Sequence, residues 1–441
     1  MTDKPMPFQV VGAKWLAGMR RAILADVMGL GKTIQAIQAC DLVRARRVAV
    51  ICPAIGRINW QREVAKWSLW GFELYVESYD RIAVSKKARD ALRAFRPDTL
   101  ICDEAHYLKS KDAKRTQQVY GRYIKGNGLA MIPKRVWLLT GTLMPNNVTE
   151  LWTHLHALFP ELLPTDEIGD PFNHFAFMNR YAKWVKAPNG TMKPIGNNPE
   201  YLNEVRAILK RIMLRRTVEQ AGIDLPPIHW MPTYVVDAGP IGRELEKLET
   251  SPEVDALRRV YEAAAADETQ ELYIDEDPIV MATVARLTAE LKAKAVGRLI
   301  ADELGDGAYD KIVVFGRHLS ALDAMAKELA AFDPVHIRGG QSDAERQRNI
   351  DAFQRKPEHR VILVQLDAGY HTITLHAATQ VAFLELAWTP DVNVQAAKRA
   401  HRIGQLHPVF VRNFALAGSL DDARQTVLSR KAKALLEIYG E

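Results

Sequence analysis

Ile23-Leu24-Ala25-Asp26-Val27-Met28-Gly29-Leu30-Gly31-Lys32-Thr33 is an apolar run that breaks into a glycine-spaced turn and closes on Lys-Thr. The next residues, Ile34 to Val43, place apolar side chains at helical spacing. Strand, glycine turn, Lys-Thr and helix together build a cradle for a triphosphate. The backbone N–H groups of the turn and the helix N-terminus face the phosphate oxygens. In such a cradle Met28, Gly29, Leu30, Gly31, Lys32 and Thr33 line the nucleotide. Lys32 reaches the β- and γ-phosphates, and the Thr33 hydroxyl sits on Mg²⁺. The strict pattern has a glycine five residues before its last glycine, where this chain has Asp26. The plain alternative is a glycine turn with a chance lysine, and this stretch alone leaves the two even.

The whole chain narrows the choice. Its 441 residues are enough for two or three domains, at roughly 150 residues each. With 48% hydrophobic and 25% charged residues it can bury large cores. The net charge of +6 permits a polyanionic partner without requiring one. Cys40, Cys52 and Cys102 have no ligand-like spacing and lie in apolar stretches, which reads as buried free thiols in a reducing compartment. No apolar run is long enough for a membrane span, and Met1 to Pro7 lacks the apolar centre of a signal peptide. A soluble intracellular protein, cytoplasmic if bacterial or viral, is the expectation.

Ahead of the cradle, Pro7-Phe8-Gln9 opens a short helical pattern. The Gln9 amide offers a donor and an acceptor to an adenine edge, or it is a solvated residue at a chain end. After the cradle, Arg47 to Cys52 reads as a buried strand stopped by Pro53, and Ile55 to Trp67 as a helix whose Trp60 and Trp67 belong to the core.

Thr99-Leu100-Ile101-Cys102 then delivers Asp103-Glu104-Ala105-His106 to a strand's C-terminal end, where open α/β sheets keep their ligands. Phosphoryl transfer to water needs one acid for Mg²⁺ and another to orient or deprotonate the water. Asp103 suits the first task and Glu104 the second. A second strand, Val136 to Leu139, ends in Thr140-Gly141-Thr142, small hydroxyls able to sense a phosphate.

From Phe159 to about His229 the strand–helix rhythm lapses. Lys183 to Glu200, rich in Pro, Gly and Asn, reads as a surface loop, and Tyr201 to Thr217 as a helix with Lys210, Arg211, Arg215 and Arg216. These basic groups, near Phe175, Arg180, Tyr181 and Trp184, either contact nucleic acid or belong to a solvated insertion. Leu225-Pro226-Pro227 marks a reversal or linker, residues 240–270 read as helical, and Glu271 to Pro278 as an acidic hinge loop.

The rhythm resumes with strands at Lys311 to Phe315, Val335 to Ile337, Val361 to Val364 and Gln380 to Leu384. Ser342-Asp343-Ala344-Glu345 looks like a capping box. Asp391 to Gln405 follows; if helical, it aligns Gln395, Arg399 and Arg402 on one face. Guanidinium groups on one face suit a γ-phosphate whose charge spreads over its oxygens. The alternative is a basic surface helix.

In this order the pieces resemble the Swi/Snf-type ATPases of helicase superfamily two, from Phe8-Gln9 to about Gln405. The most specific are Met28 to Thr33, Asp103 to His106, Leu139 to Thr142, and Arg399-Ala400-His401-Arg402-Ile403-Gly404-Gln405. The compact size, Asn146-Asn147 and Glu150-Leu151-Trp152 look most like the annealing-helicase branch. The resemblance implies an α/β fold of two RecA-like lobes, each a doubly wound parallel sheet, with helical insertions. Residues 1–158 would form the first lobe, 159–290 the insertions and hinge region, and 291–441 the second lobe. It also implies ATP and Mg²⁺ between the lobes, with the adenine read by Gln9, the nucleotide gripped by residues 28–33 and touched by Gln395, and Thr33 and Asp103 on the metal. Lys32, Asp103 and Glu104 would be catalytic, with Arg399 and Arg402 as arginine fingers, each worth ~10³–10⁵ in rate. The implied partner is DNA, double-stranded and bound without sequence preference.

Three departures stand out. Val27 replaces a usual Glu, Leu143 a usual Pro, and Tyr370 and Thr372 lie near glycine positions of a usually glycine-rich loop. Two other readings therefore stay open: a DNA-binding clamp switched by ATP without translocation, and an RNA-directed helicase, since Asp-Glu-Ala-His occurs there too.

Overall fold

The computed structural model describes residues 4–422 except 122–126, 142, 144–147, 167–168, 170, 187–191, 238–242, 253, 257, 260–277, 367–372 and 388–389. The chain divides into two compact units, Met1–Asp224 and Leu225–Glu441.

The first unit is a six-stranded parallel sheet in the order β3-β2-β4-β5-β1-β8. Its strands are β1 (Arg21–Leu24), β2 (Arg47–Cys52), β3 (Glu73–Ser78), β4 (Thr99–Asp103), β5 (Arg135–Leu139) and β8 (Met213–Leu214). Successive residues of a strand point to opposite faces, and both faces here are apolar. Ala22, Leu24, Val48, Val50, Ile101 and Trp137 pack beneath α1 (Pro7–Ala17), α2 (Lys32–Leu42) and α3 (Gly56–Trp67). Ile23, Ala49, Ile51, Leu100, Cys102 and Leu138 form the opposite core. Helices α4 (Tyr79–Val84), α5 (Lys86–Phe95), α6 (Lys114–Tyr120), α7 (Leu151–Leu158), α8 (His174–Tyr181) and α9 (Leu202–Ile212) pack into that core. Burial on both faces explains why the strands read as unbroken apolar runs. The three cysteines are buried and free.

The stretch 159–290, read from sequence as insertions and hinge, is divided between the units. Residues Lys183 to Glu200 are not simply a loop. β6 (Ala182–Lys186) and β7 (Met192–Asn197) pair as an antiparallel hairpin with a register shift at Lys183/Trp184. Its return end is tied down: Asn197 Oδ1 accepts the Val148 N–H at 2.7 Å, and the Asn198 amide donates to the Arg180 carbonyl at 3.2 Å. The helix expected over Tyr201 to Thr217 stops at Ile212. Met213 and Leu214 instead pair with Ile23 and Leu24 of β1, so edge-strand hydrogen bonds replace a last helical turn.

The second unit is a seven-stranded parallel sheet in the order β10-β15-β14-β11-β13-β12, with β9 also on β15. Its strands are β9 (Ile228–Trp230), β10 (Tyr234–Val236), β11 (Ile312–Gly316), β12 (Val335–Ile337), β13 (Val361–Gln365), β14 (Gln380–Phe383) and β15 (Val409–Leu416). β9 and β10 pair with successive parts of β15, separated by a break at Pro232, which has no N–H for the ladder. Ala289, Ala293, Val296, Ile300 and Leu304 line one face of the helix Pro278–Gly305 and pack on Ile312, Val314, Val361 and Leu363. Residues 240–270 are helical at Arg243–Glu249, whereas 260–277, with most of the acidic stretch, lie outside the described residues. Ser342 Oγ accepts the Glu345 N–H at 3.2 Å, but the Glu345 carboxylate receives Gln341 at 3.0 Å.

The two units together give the α/β architecture of two parallel sheets with helices. Among the described residues no helix is long and apolar enough to cross a membrane.

Candidate active site

Register places the chemistry of the first unit at one end of its sheet. Leu139 of β5 lies beside Asp103 of β4 on one side and beside Leu24 of β1 on the other. The glycine turn of residues 25–33, here called the P-loop, therefore leaves β1 at the level where β4 delivers its acids, two strand spacings away, or roughly 10 Å.

Gly29 and Gly31 both take the left-handed conformation, with φ of 91° and 70°. Gly31 caps α2, and a Cβ there would meet Gln9 Nε2 at 2.5 Å. The turn thus needs glycine for its backbone and for its close approach to Gln9. Lys32 Nζ donates to the Asp26 carbonyl at 2.8 Å and the Val27 carbonyl at 3.5 Å. The buried Gln9 amide accepts the Met6 N–H at 2.9 Å and donates to the Leu30 carbonyl at 3.3 Å.

Asp26, at the glycine position of the strict pattern, is fully buried. Arg216 grips its carboxylate with two bonds, Nη2 to Oδ2 at 2.5 Å and Nε to Oδ1 at 3.1 Å. Gln35 Nε2 donates to the same carboxylate at 3.0 Å and to the Leu30 carbonyl at 3.2 Å. Arg216 Nη1 reaches the Phe8 carbonyl at 2.6 Å. Arg215 Nη1 donates to the carbonyls of Ala25 at 3.2 Å and Gly141 at 3.0 Å. A buried carboxylate is tolerated when it is paired and hydrogen-bonded, and here the pairing ties the loop to α1, α2 and the chain after β8.

The sequence leaves two readings open for these basic groups, nucleic-acid contact and a solvated insertion, and Arg215 and Arg216 follow neither. Arg215 and Arg216 turn inward and brace the P-loop. Arg180 forms a forked pair with Glu204 at 2.6 and 3.0 Å, and Tyr181 is core. Lys210 and Arg211 remain exposed.

Asp103 closes β4, and its side chain is held. Trp60 Nε1 donates to Oδ2 at 2.8 Å, and the Glu104 N–H donates to Oδ1 at 3.0 Å. Tyr79 Oη donates to the Asp103 carbonyl at 2.8 Å. Burial, and then the Glu104 charge, push the Asp103 carboxyl above its ordinary range; the Trp60 bond and the Lys32 charge pull the other way. Glu104 sits in the left-handed region at φ 51°, with His106 Nδ1 3.4 Å from its carboxylate. A non-glycine residue held there is strained, and such strain gathers at functional positions.

Thr140 is buried and donates its N–H to the Leu24 carbonyl at 3.1 Å. Thr142, Asn146 and Asn147 lie outside the described residues, as do Tyr370 and Thr372. Val27 and Leu143, the two other departures, are buried apolar side chains.

In the second unit the helix expected over Asp391 to Gln405 spans only Pro390–Ala397. Its bonds tighten from four-residue to three-residue spacing at Arg399 and Ala400, and the Arg399 carbonyl accepts the Leu375 N–H at 2.8 Å. Gln405 Nε2 then ties this turn to the carbonyls of His376, Ala378 and Ala400 at 3.1, 2.8 and 3.3 Å. Gln395, Arg399 and Arg402 therefore do not share one helical face. Gln395 and Arg399 are buried, and Arg402 Nη1 donates to the Ile373 carbonyl at 2.9 Å and Thr374 Oγ1 at 2.8 Å.

The residues fit a nucleotide with a hard divalent cation. Two left-handed glycines let the backbone approach a phosphate, Lys32 supplies a cation, and Asp103 and Glu104 supply oxygens beside it. Among the described residues no group of three or more His, Cys, Asp or Glu could hold a metal alone. Mg²⁺ needs only one or two protein carboxylates and completes its shell with phosphates and water. Sequence reading missed Gln35, Arg216 and the donor role of Trp60. The usable signal was Asp26 itself, because an acid between an apolar strand and a buried turn requires a cationic partner.

Residues 8–70 and 68–235 match the SNF2-related domain, and residues 292–404 match the helicase conserved C-terminal domain. The chain is 30% identical over 98% of its length to the human DNA annealing helicase and endonuclease ZRANB3, covering 40% of that protein. It is 29% identical over 98% of its length to the Xenopus tropicalis SWI/SNF-related matrix-associated actin-dependent regulator of chromatin subfamily A-like protein 1, covering 44% of it. The chain thus spans less than half the length of these relatives. A SWI2/SNF2 ATPase core from Sulfolobus solfataricus, solved with double-stranded DNA, is similar over 99% of this chain and 92% of its own, at 21% identity and a TM-score of 0.42. With the SNF2-related and helicase C-terminal matches running through both units, the chain belongs to the SNF2-related family of helicase-type ATPases.

Proposed function

We propose that this chain is an ATP-driven motor that tracks along double-stranded DNA without reading its sequence. The observation that carries this is the paired delivery of Lys32 and Asp103-Glu104 to one end of the first sheet. Lys32 would leave the Asp26 and Val27 carbonyls for the β- and γ-phosphates. Gln9 would present its amide to the adenine edge, and Gln395 would contact the nucleotide from the second unit. Thr33 and Asp103 would hold Mg²⁺, which would supply charge neutralisation on the transferring group. Glu104 would take a proton from the attacking water. Arg399 and Arg402 would stabilise the charge spread over the transferring oxygens, so turnover would need groups from both units. Movement along DNA would follow from their alternate engagement and release.

The names of the annealing-helicase relatives give the direction to test, which is rewinding of separated strands. ATP turnover with and without duplex DNA checks the core of the proposal. DNA-stimulated hydrolysis that disappears in Lys32→Ala supports it. No turnover under either condition points to an ATP-switched clamp, and stimulation by RNA duplex alone, at matched salt, points to an RNA-directed enzyme.

A further inference from the structure

At the N-terminal end of the first sheet, opposite the P-loop, the turns that feed β2, β4 and β5 border an open cavity of about 1060 Å³. Arg44, Arg46, Arg47, Arg93, Arg96 and Lys134 line it, all exposed, and the half-buried Arg135 adds a seventh cation. Among the described residues that line it, two are acids, Glu73 and Asp98. Asp98 is already engaged: Oδ2 accepts the N–H groups of Arg46 at 2.7 Å and Arg47 at 3.0 Å, and Oδ1 accepts the Thr99 hydroxyl at 3.0 Å. The excess of five positive charges here compares with +6 for the whole chain. Among the described residues, Arg93 is the one of the six exposed cations with a carboxylate ion pair, to Asp90 at 3.4 Å. Such a concentration of one sign inside a concavity focuses the field and attracts polyanions.

A second feature narrows the ligand. Trp70, half exposed, stands on the turn before β3, with the Arg44 guanidinium 5.3 Å above its ring. Its neighbour Leu69 is 94% exposed. A cationic groove beside an exposed aromatic ring is the arrangement that holds a single nucleic-acid strand, with phosphates on the cations and a base on the ring. In a duplex the base faces are hidden in the stack, so Trp70 would find nothing to stack on.

We propose that this cavity is a second nucleic-acid site, which takes the backbone of one DNA strand and stacks a base on Trp70. The choice of DNA rests on the motor reading above; the charge and the ring do not. The site is separated from the ATP end by the length of β2 and β4, roughly 15–20 Å. A strand held here therefore does not compete with nucleotide. An enzyme that separates or rejoins strands gains a hold on one of them while its motor engages the duplex.

The test uses the full chain and a fluorescent oligo(dT) in an anisotropy titration over a salt series. The triple variant R46E/R93E/K134E should bind at least ~10-fold more weakly. Its slope of log affinity against log salt should be shallower by about 2, at roughly 0.7 per lost phosphate contact. Trp70→Ala should lose roughly 10-fold in affinity with the slope unchanged. Both variants should keep the thermal midpoint and duplex-stimulated ATPase of the parent. Parent affinity and slope in the triple variant overturn the site. Weakening by the triple variant without any effect of Trp70→Ala overturns the stacked single strand in favour of a general phosphate site. Lys32→Ala separates the two readings: it should bind oligo(dT) like the parent whether or not it hydrolyses ATP.

Discussion

Asp26 and Arg216 lie 190 residues apart in sequence and form a doubly hydrogen-bonded ion pair beneath the P-loop, with Nη2 2.5 Å from Oδ2. The acid is fully buried and the arginine side chain is 12% exposed. The pair converts an apparent defect in the loop pattern into a brace that joins the chain after β8 to the nucleotide turn.

Removing one partner leaves the other charge buried and alone. Arg216→Ala should therefore cost about 3–5 kcal/mol of stability. The double change Asp26→Gly with Arg216→Ala should cost less than the single one, because no charge is stranded. Denaturant unfolding of the parent and the variants measures this, and equal losses would contradict the pairing.

Lys32 and Arg402 should fail in different ways. Lys32→Ala should abolish hydrolysis and also weaken nucleotide binding, because on the proposed role its charge meets ground-state phosphates. Arg402→Ala should leave nucleotide affinity near that of the parent and lower turnover by ~10³-fold or more, as loss of an arginine finger does. A fluorescent-nucleotide titration beside steady-state ATPase separates the two. Full activity in either variant rejects its assignment.

Trp60 donates to the Asp103 carboxylate and so favours its charged form. Burial and Glu104 already push that carboxyl upward. Trp60→Phe keeps the ring and removes the donor, so the carboxyl should rise further. A hydrogen bond to a charged group is worth about 1.5–3 kcal/mol, which corresponds to a shift of roughly one to two pH units. On the proposed role, in which Asp103 acts in its ionised form, the acid limb of kcat/KM against pH should move to higher pH. An unmoved limb with the ATPase intact would show that Asp103 does not set it.

Glu385, buried in the second unit, accepts the N–H groups of Arg317 and His318, both at 2.9 Å, and meets His318 Nδ1 at 2.6 Å. Burial alone would raise its carboxyl, but the His318 bond and charge with the backbone donors outweigh it, and the group is held below its ordinary 4.5. A depressed carboxyl contributes stability above its unfolded pKa and loses it as pH falls through the folded value. Glu385→Gln should therefore lower the unfolding midpoint at neutral pH and flatten its fall below pH 4.5. Unfolding followed over a pH series reads both effects.

Much of this molecule was legible because local and global demands agree. β2, β4 and β5 are buried on both faces, so their apolar runs announced themselves, and the glycines of the P-loop and the acids after β4 were read at their observed places. Where tertiary bonds override local preference, the reading failed. Met213 and Leu214 continue a helical pattern but join β1. Arg399 and Arg402 follow a helix that tightens and ends because the loop at residues 373–378 takes its carbonyls and side chains.

The two parallel α/β sheets followed from the family resemblance; the chain by itself determined the apolar strand runs, the glycine turn before Lys32, and the paired acids at Asp103 and Glu104. Periodicity and short motifs encode these within about ten residues. Only the tertiary structure decided that Arg216 neutralises Asp26, that Trp60 sets the Asp103 carboxylate, and that seven cations from three separate stretches of the chain share one cavity. Such contacts join residues far apart in sequence, and no local pattern records which distant side chain will fill a buried partner's hydrogen bonds.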